Sequence, residues 1–116
     1  MTDTLTAEQA VQQQLDAYNA HDLDRFIAVY DENVRIYRPP ASEPSMVGRA
    51  ALGQFHATQR FNLPALRADL VRRIVAGSKV VDHERVFGLG EQPFEVAVVY
   101  EVRAGRITAV WYFPAA

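Results

Sequence analysis

The sequence predicts an α+β fold, with three N-terminal helices packed in a strongly curved, mainly antiparallel sheet. Three observations predict it. Helix-period apolar stripes fill the first half of the 116-residue chain, strand-period alternation fills the second half from Leu66 to Phe113, and the later strands are long. Strands of about eight to eleven residues exceed the usual mode and bend, and a bent sheet wrapped on helices encloses a concavity.

The elements follow in order. Thr6 reads as a helix N-cap, with Gln9 three residues on as in a capping box, and Val11, Leu15 and Tyr18 form the apolar stripe. Asp22 caps a second helix carrying Leu23, Phe26, Ile27 and Tyr30. After Asp31-Glu32-Asn33, the run from Val34 to Arg38 alternates as a strand, and Pro39-Pro40 stop it because neither can donate to a ladder. The stretch from Arg38 to Val47 reads as a long loop of the kind that forms rims or lids. Gly48 opens a third helix with Leu52, Phe55 and Gln59 along one side, and Gly53 lowers its propensity by about 1 kcal/mol relative to Ala.

Four strands remain. Leu66, Ala68, Leu70, Arg72 and Ile74 share one face of the first, and Gly77-Ser78 turns the chain. Val81, His83, Arg85 and Phe87 share a face of the next, taken as inward, with Val80, Asp82, Glu84 and Val86 opposite. A looser turn, GLGEQP, leads to Phe94, Val96, Val98, Tyr100 and Val102. Ala104-Gly105 is a tight turn, and Ile107, Ala109, Trp111 and Phe113 are placed on the inward face of the last strand.

Composition narrows the function classes. With 49% apolar residues there is material for one core, and residues 1–116 read as one domain. A net charge of -2 without a basic stripe argues against a nucleic-acid partner. The absence of cysteine excludes disulfides, thiolate metal sites and a cysteine nucleophile. No apolar run approaches the length of a membrane span, so no membrane partner and a cytoplasmic location are expected.

The segments YNAHDLDRFIAVYDENVRIYRPP and VVYEVRAGRITAVWYF, with the Gly48 helix start between them, resemble the NTF2-like superfamily of cone-shaped domains. More narrowly, they resemble SnoaL-like polyketide cyclases and ketosteroid isomerase-like proteins, from about Thr6 to Phe113. The resemblance implies a mostly apolar cavity open at one end and a homodimer. It also implies where isomerase chemistry would sit, and this chain departs at each place. The position of the general-base Asp before a proline holds Arg38, the oxyanion-hole Tyr position holds Gln14, and the protonated-acid position falls nearest Val98. Arginine cannot serve as a carboxylate base, so ketosteroid isomerisation by that mechanism is not expected.

His83 and Arg38 are the candidate catalytic residues. Imidazole, with an unperturbed pKa of about 6.5, suits general acid–base work, and a guanidinium at the cavity mouth could hold a carboxylate, enolate or phosphate. Each has a plainer alternative as a hydrogen-bonded or solvated side chain. Period two sends Asp82 and Glu84 away from His83, which argues against a metal triad and leaves the two carboxylates to pair with Arg73 or Arg85 across strands. His21 and His56 form no spacing motif with His83. Gln14, Tyr18, Tyr30, Tyr37, Phe55, Gln59, Tyr100 and Trp111 are the candidate ligand-binding residues: aromatic rings with polar tips line apolar pockets, and the two glutamines sit on otherwise inward helix faces. The expected function is cofactor-independent isomerisation, cyclisation, dehydration or hydrolysis of a small apolar carbonyl or carboxylate compound, with no metal or cofactor. The alternatives are a non-catalytic small-ligand-binding module and an interaction module that dimerises through the outer sheet face.

Overall fold

A computed structural model describes residues 4–115. Helix α1 spans Ala7–Asn19, α2 Leu23–Ala28, strand β1 Tyr30–Tyr37, β2 Met46–Val47, α3 Arg49–Gln59, β3 Arg67–Ala76, β4 Lys79–Phe87, β5 Phe94–Arg103 and β6 Arg106–Pro114. The six strands form one mixed sheet in the order β2-β1-β6-β5-β4-β3. The β1–β6 pairing is parallel and the other four are antiparallel. The helices pack on one face of this sheet, called inner below. Among the described residues, no helix is long and apolar enough to cross a membrane.

Local chemistry explains the helix boundaries. The Thr6 hydroxyl accepts from the Gln9 amide while the Gln9 side chain accepts from the Thr6 amide, completing the capping box. The Asp22 carboxylate accepts from the Arg25 amide at the start of α2. Helix α2 ends at Ala28, a turn earlier than its apolar stripe suggests, and Tyr30 already belongs to β1. At Gly53 a Cβ would stand 3.3 Å from Cγ2 of Ile27, so the glycine lets α3 close on α2. The proline loop contains β2, which pairs Met46 with Ile36, where the sequence suggested loop throughout.

Two irregularities set which side chains face inward. In β3 the register slips between Leu70 and Arg72, so Ala68 pairs with Val86 on one side of the slip and Arg73 with Asp82 on the other. In β6 the slip falls opposite Glu101 and Val102, so Ile107 pairs with Val102 and Val110 with Tyr100. A β-bulge adds one residue to one strand and inverts the alternation beyond it. Val110 and Tyr112 therefore share the inner face with Tyr100 and Val98, while Trp111 and Phe113 pair with Val99 and Ala97 on the outer face. The expectation that placed Trp111 inward is corrected for this reason.

The core between helices and sheet combines Val11, Leu15, Phe26, Val34, Ile36 and Leu52 with Val80, Val98, Ile107 and Val110. The Asn19 side chain clamps α1 to β3, accepting from the Ala68 amide at 2.8 Å and donating to the Ala68 carbonyl at 2.9 Å. His21 contacts the Leu66 carbonyl through Nε2 at 2.9 Å and stacks on Phe61, a structural use of the histidine between α1 and α2.

Candidate functional site

A cavity of about 340 Å³ lies between the helices and the inner face of β4, β5 and β6. Its size falls in the range of small-molecule sites, roughly 300–1,000 Å³. Leu15, Phe26, Ile36, Leu52, Val86 and Val96 supply the apolar wall. The deep lining is buried, whereas Arg38, Ser45, Phe94 and Pro114 are exposed and mark the mouth.

Glu84 enters this cavity from β4. It is 6% exposed, and its Oε2 is buried with no hydrogen-bond partner. Burial raises its pKa to about 7, and the neighbouring negative charge of Asp82 adds to the rise against a smaller pull from Arg73. Asp82, two residues earlier on the same face and fully buried, takes the ion pair instead. Arg73 donates through Nε at 2.7 Å and through its second terminal nitrogen at 2.9 Å, and its remaining terminal nitrogen donates to Gln12 at 2.9 Å. The cross-strand pairing of Asp82 with Arg73 anticipated from sequence is present. The guanidinium is thus committed to Asp82 in fork geometry, and Glu84 lines the cavity with no cation of its own among the described residues.

A directed hydrogen-bond chain crosses the floor. The Tyr30 hydroxyl donates to Oε1 of Gln14 at 3.3 Å, and Nε2 of Gln14 donates to the Tyr100 oxygen at 3.1 Å. The Tyr100 oxygen accepts in this chain, and its own O–H has no acceptor among the described residues. Burial raises the pKa of Tyr30 and Tyr100, so both stay protonated donors. Tyr112 is raised to about 12, again mainly by burial. His56 is buried in α3, where Nδ1 donates to the Leu52 carbonyl at 2.9 Å. Its pKa falls to about 4 through desolvation, partly opposed by that bond, so the ring is neutral with Nε2 as the acceptor.

The structure brings together part of the set anticipated from sequence. Gln14, Tyr18, Tyr30, Phe55 and Tyr100 line the cavity, and Arg38 stands at its mouth with its guanidinium 4.9 Å from the Tyr112 ring centre. Three residues lie elsewhere. Gln59 is exposed at the end of α3. Tyr37 and Trp111 stack on each other outside the cavity, with ring centres 5.3 Å apart and planes within 10°.

The placement of His83 is the main correction. Its ring lies on the outer face with 43% of its side chain exposed, paired to the equally exposed Glu95 of β5. The grouping of β4 residues into two faces holds, but the inner face is Val80, Asp82, Glu84 and Val86. Register decides this: Val80 pairs with Tyr100, Asp82 with Val98 and Glu84 with Val96, all on the apolar face of β5.

Glu84, Tyr112, His56 and Arg60 are the cavity residues that sequence reasoning passed over. One signal pointed to Glu84. Val80 and Val86 flank the two carboxylates, and two acids between valines on a strand need a cation or a proton to be buried.

Comparison with known proteins agrees with the architecture. Residues 11–110 match the model of the SnoaL-like domain family. A candidate ketosteroid isomerase from Kribbella flavida superposes with a TM-score of 0.82 at 25% identity, covering 100% of this chain and 82% of that one. A SnoaL-like protein of unknown function from Burkholderia thailandensis gives 0.77 at 23% identity, covering 95% and 94%. An NTF2-like protein of unknown function from Cytophaga hutchinsonii gives 0.81 at 14% identity, covering 99% and 95%. No curated protein matches the chain significantly. With 100 of its 116 residues inside the family model and an NTF2-like arrangement of three helices and six strands, the chain belongs to the SnoaL-like domain family.

Proposed function

We propose that the cavity is the active site of a cofactor-independent proton-transfer enzyme that acts on a small, mostly apolar carbonyl compound. Isomerisation and cyclisation are the reaction classes it fits best. One observation carries this reading: Glu84, which lines a mostly apolar cavity, is a buried carboxyl with no hydrogen bond or ion pair among the described residues. A carboxyl whose pKa lies near 7 is half ionised at neutral pH, where general acid–base catalysis is most effective. The ionised form takes a proton from the carbon next to the carbonyl. The resulting enolate oxygen accepts the free Tyr100 proton as a hydrogen bond, backed by Gln14 and Tyr30. Glu84 then returns its proton to a different carbon of the substrate, so the step balances without a co-reactant.

The reading differs from ketosteroid isomerisation in its base. The position before Pro39 carries Arg38, and the carboxylate comes from mid-β4. His83, on the outer face, has no part in this scheme.

The test is exchange of α-protons for deuterium in 1-indanone, an apolar aryl ketone, followed by proton NMR. The wild-type protein accelerates exchange, with a rate that rises through about pH 7, and Glu84→Gln lowers the rate by at least about a hundredfold. Exchange that is equally fast in Glu84→Gln overturns the role of Glu84. A wild-type protein that binds the ketone without accelerating exchange favours the non-catalytic binding module.

A further inference from the structure

Two cationic side chains line the cavity without an anionic partner. Arg38 leaves the end of β1, and its guanidinium stacks on Tyr112 with no hydrogen bond or ion pair among the described residues. Arg60 follows the end of α3, stacks on Phe55 at 4.7 Å, and has one terminal nitrogen on the Gln59 carbonyl at 2.7 Å. Stacking covers the flat face of a guanidinium and leaves its in-plane N–H groups to bind in the ring plane. The remaining donors of both arginines have no carboxylate within ion-pair distance among the described residues, although four other basic side chains do. Glu84 is the one acidic residue in the described lining, and it lies deep on β4.

We propose that the cavity takes an amphiphilic anion in one orientation: its carboxylate sits at the mouth on Arg38 and Arg60, and its apolar body reaches inward to Glu84 and Tyr100. This rests on the reading of the cavity as a substrate site and narrows the substrate to a carbonyl compound that also carries an acid group. Three features fix the direction. The exposed end holds Arg38 and the half-buried Arg60 lines the cavity from the end of α3, the middle is walled by Leu15, Phe26, Ile36 and Leu52, and the buried carboxyl of Glu84 repels a second negative charge when ionised. A substrate bound the other way would set two carboxylates against each other in an apolar space, a costly arrangement.

The test compares 1-naphthylacetate with its neutral isostere 1-naphthylacetamide by titration calorimetry on the intact chain. The acetate is expected to bind at least about tenfold more tightly at low salt, and each of Arg38→Gln and Arg60→Gln should remove several-fold of that preference. The double variant should bind the two compounds equally, and a thermal midpoint unchanged from wild type shows that its fold is intact. Added salt should weaken the acetate and leave the amide unchanged. Glu84→Gln should strengthen the acetate by less than about threefold, because the head group lies away from that residue. Equal binding of the two compounds by the wild-type protein overturns the anion preference and leaves the proton-transfer reading standing. A large gain for the acetate in Glu84→Gln overturns the orientation. If neither compound binds, the cavity is not a site for small aromatic ligands, and both readings fall.

Discussion

At the scale of single residues, Glu84 and His56 oppose each other in their effect on stability. The folded pKa of Glu84 lies above the usual carboxylate value, so its contribution is fully present below about pH 4.5 and lost as pH rises through about 7. The folded pKa of His56 lies below the usual imidazole value, so its contribution is present above about pH 6.5 and lost as pH falls through about 4. Each change is worth on the order of 3 kcal/mol, and over the window they share they nearly cancel. The wild-type protein is therefore expected to show a nearly flat stability between about pH 4.5 and 6.5. Glu84→Gln should lose that balance and become steadily more stable as pH rises, which urea denaturation across the range would reveal. By contrast, His83→Ala should change stability by less than about 1 kcal/mol and leave cavity chemistry intact, because both partners of its ion pair are solvated. A large loss of ketone exchange in that variant would contradict the placement of the site. The contrast between residues 83 and 84 also shows what sequence conveys. Alternation separates the two faces of β4, but apart from the valines that flank the two carboxylates nothing within β4 marks which face meets the helices.

At the scale of elements, that missing information lies in register. The helix caps at Thr6 and Asp22, the turns at Gly77 and Ala104-Gly105, and the alternation of β5 are local and legible, and the structure contains each of them. The bulges in β3 and β6 depend on partner strands, and neither Val71 nor Thr108 carries a local mark of one. The first bulge delivers Arg73 to Asp82. The second exchanges Trp111 for Tyr112 in the cavity wall. Two substitutions probe local geometry directly. At Gly88 φ is +88°, and a Cβ would come within 2.4 Å of the Ala65 carbonyl, so Gly88→Ala should cost at least about 2 kcal/mol and lower the thermal midpoint. Ala104 holds φ of +51° before Gly105, the place where Asn-Gly suits a tight hairpin. Ala104→Asn should therefore raise stability by up to about 1 kcal/mol.

At the scale of the whole molecule, the order of elements was legible because it follows from periodicity and punctuation. The interior of the cavity was half legible: Gln14, Tyr18, Tyr30, Phe55 and Tyr100 line it as expected, whereas Glu84 lies on the face of β4 that the sequence reading assigned outward. The outer sheet face carries the Tyr37–Trp111 stack, Val99 and Val81, with Phe113 and Ile74 exposed beside them. That is an apolar surface broader than a solvated sheet face requires, and we expect a second copy of the chain to cover it. Light scattering at tens of micromolar should give the mass of a dimer, and Trp111→Glu should give that of a monomer with its cavity unchanged. A monomeric wild-type protein would rule this out.

The central claim is that Glu84 is a protonatable acid facing an apolar cavity. Carbon-13 NMR of the labelled glutamate carboxyls, with Glu84 assigned by its loss in Glu84→Gln, measures it most directly. The expected titration midpoint is about pH 7, and it should shift when 1-indanone occupies the cavity. A midpoint near the ordinary carboxylate value of about 4.5, unmoved by ligand, would contradict the account.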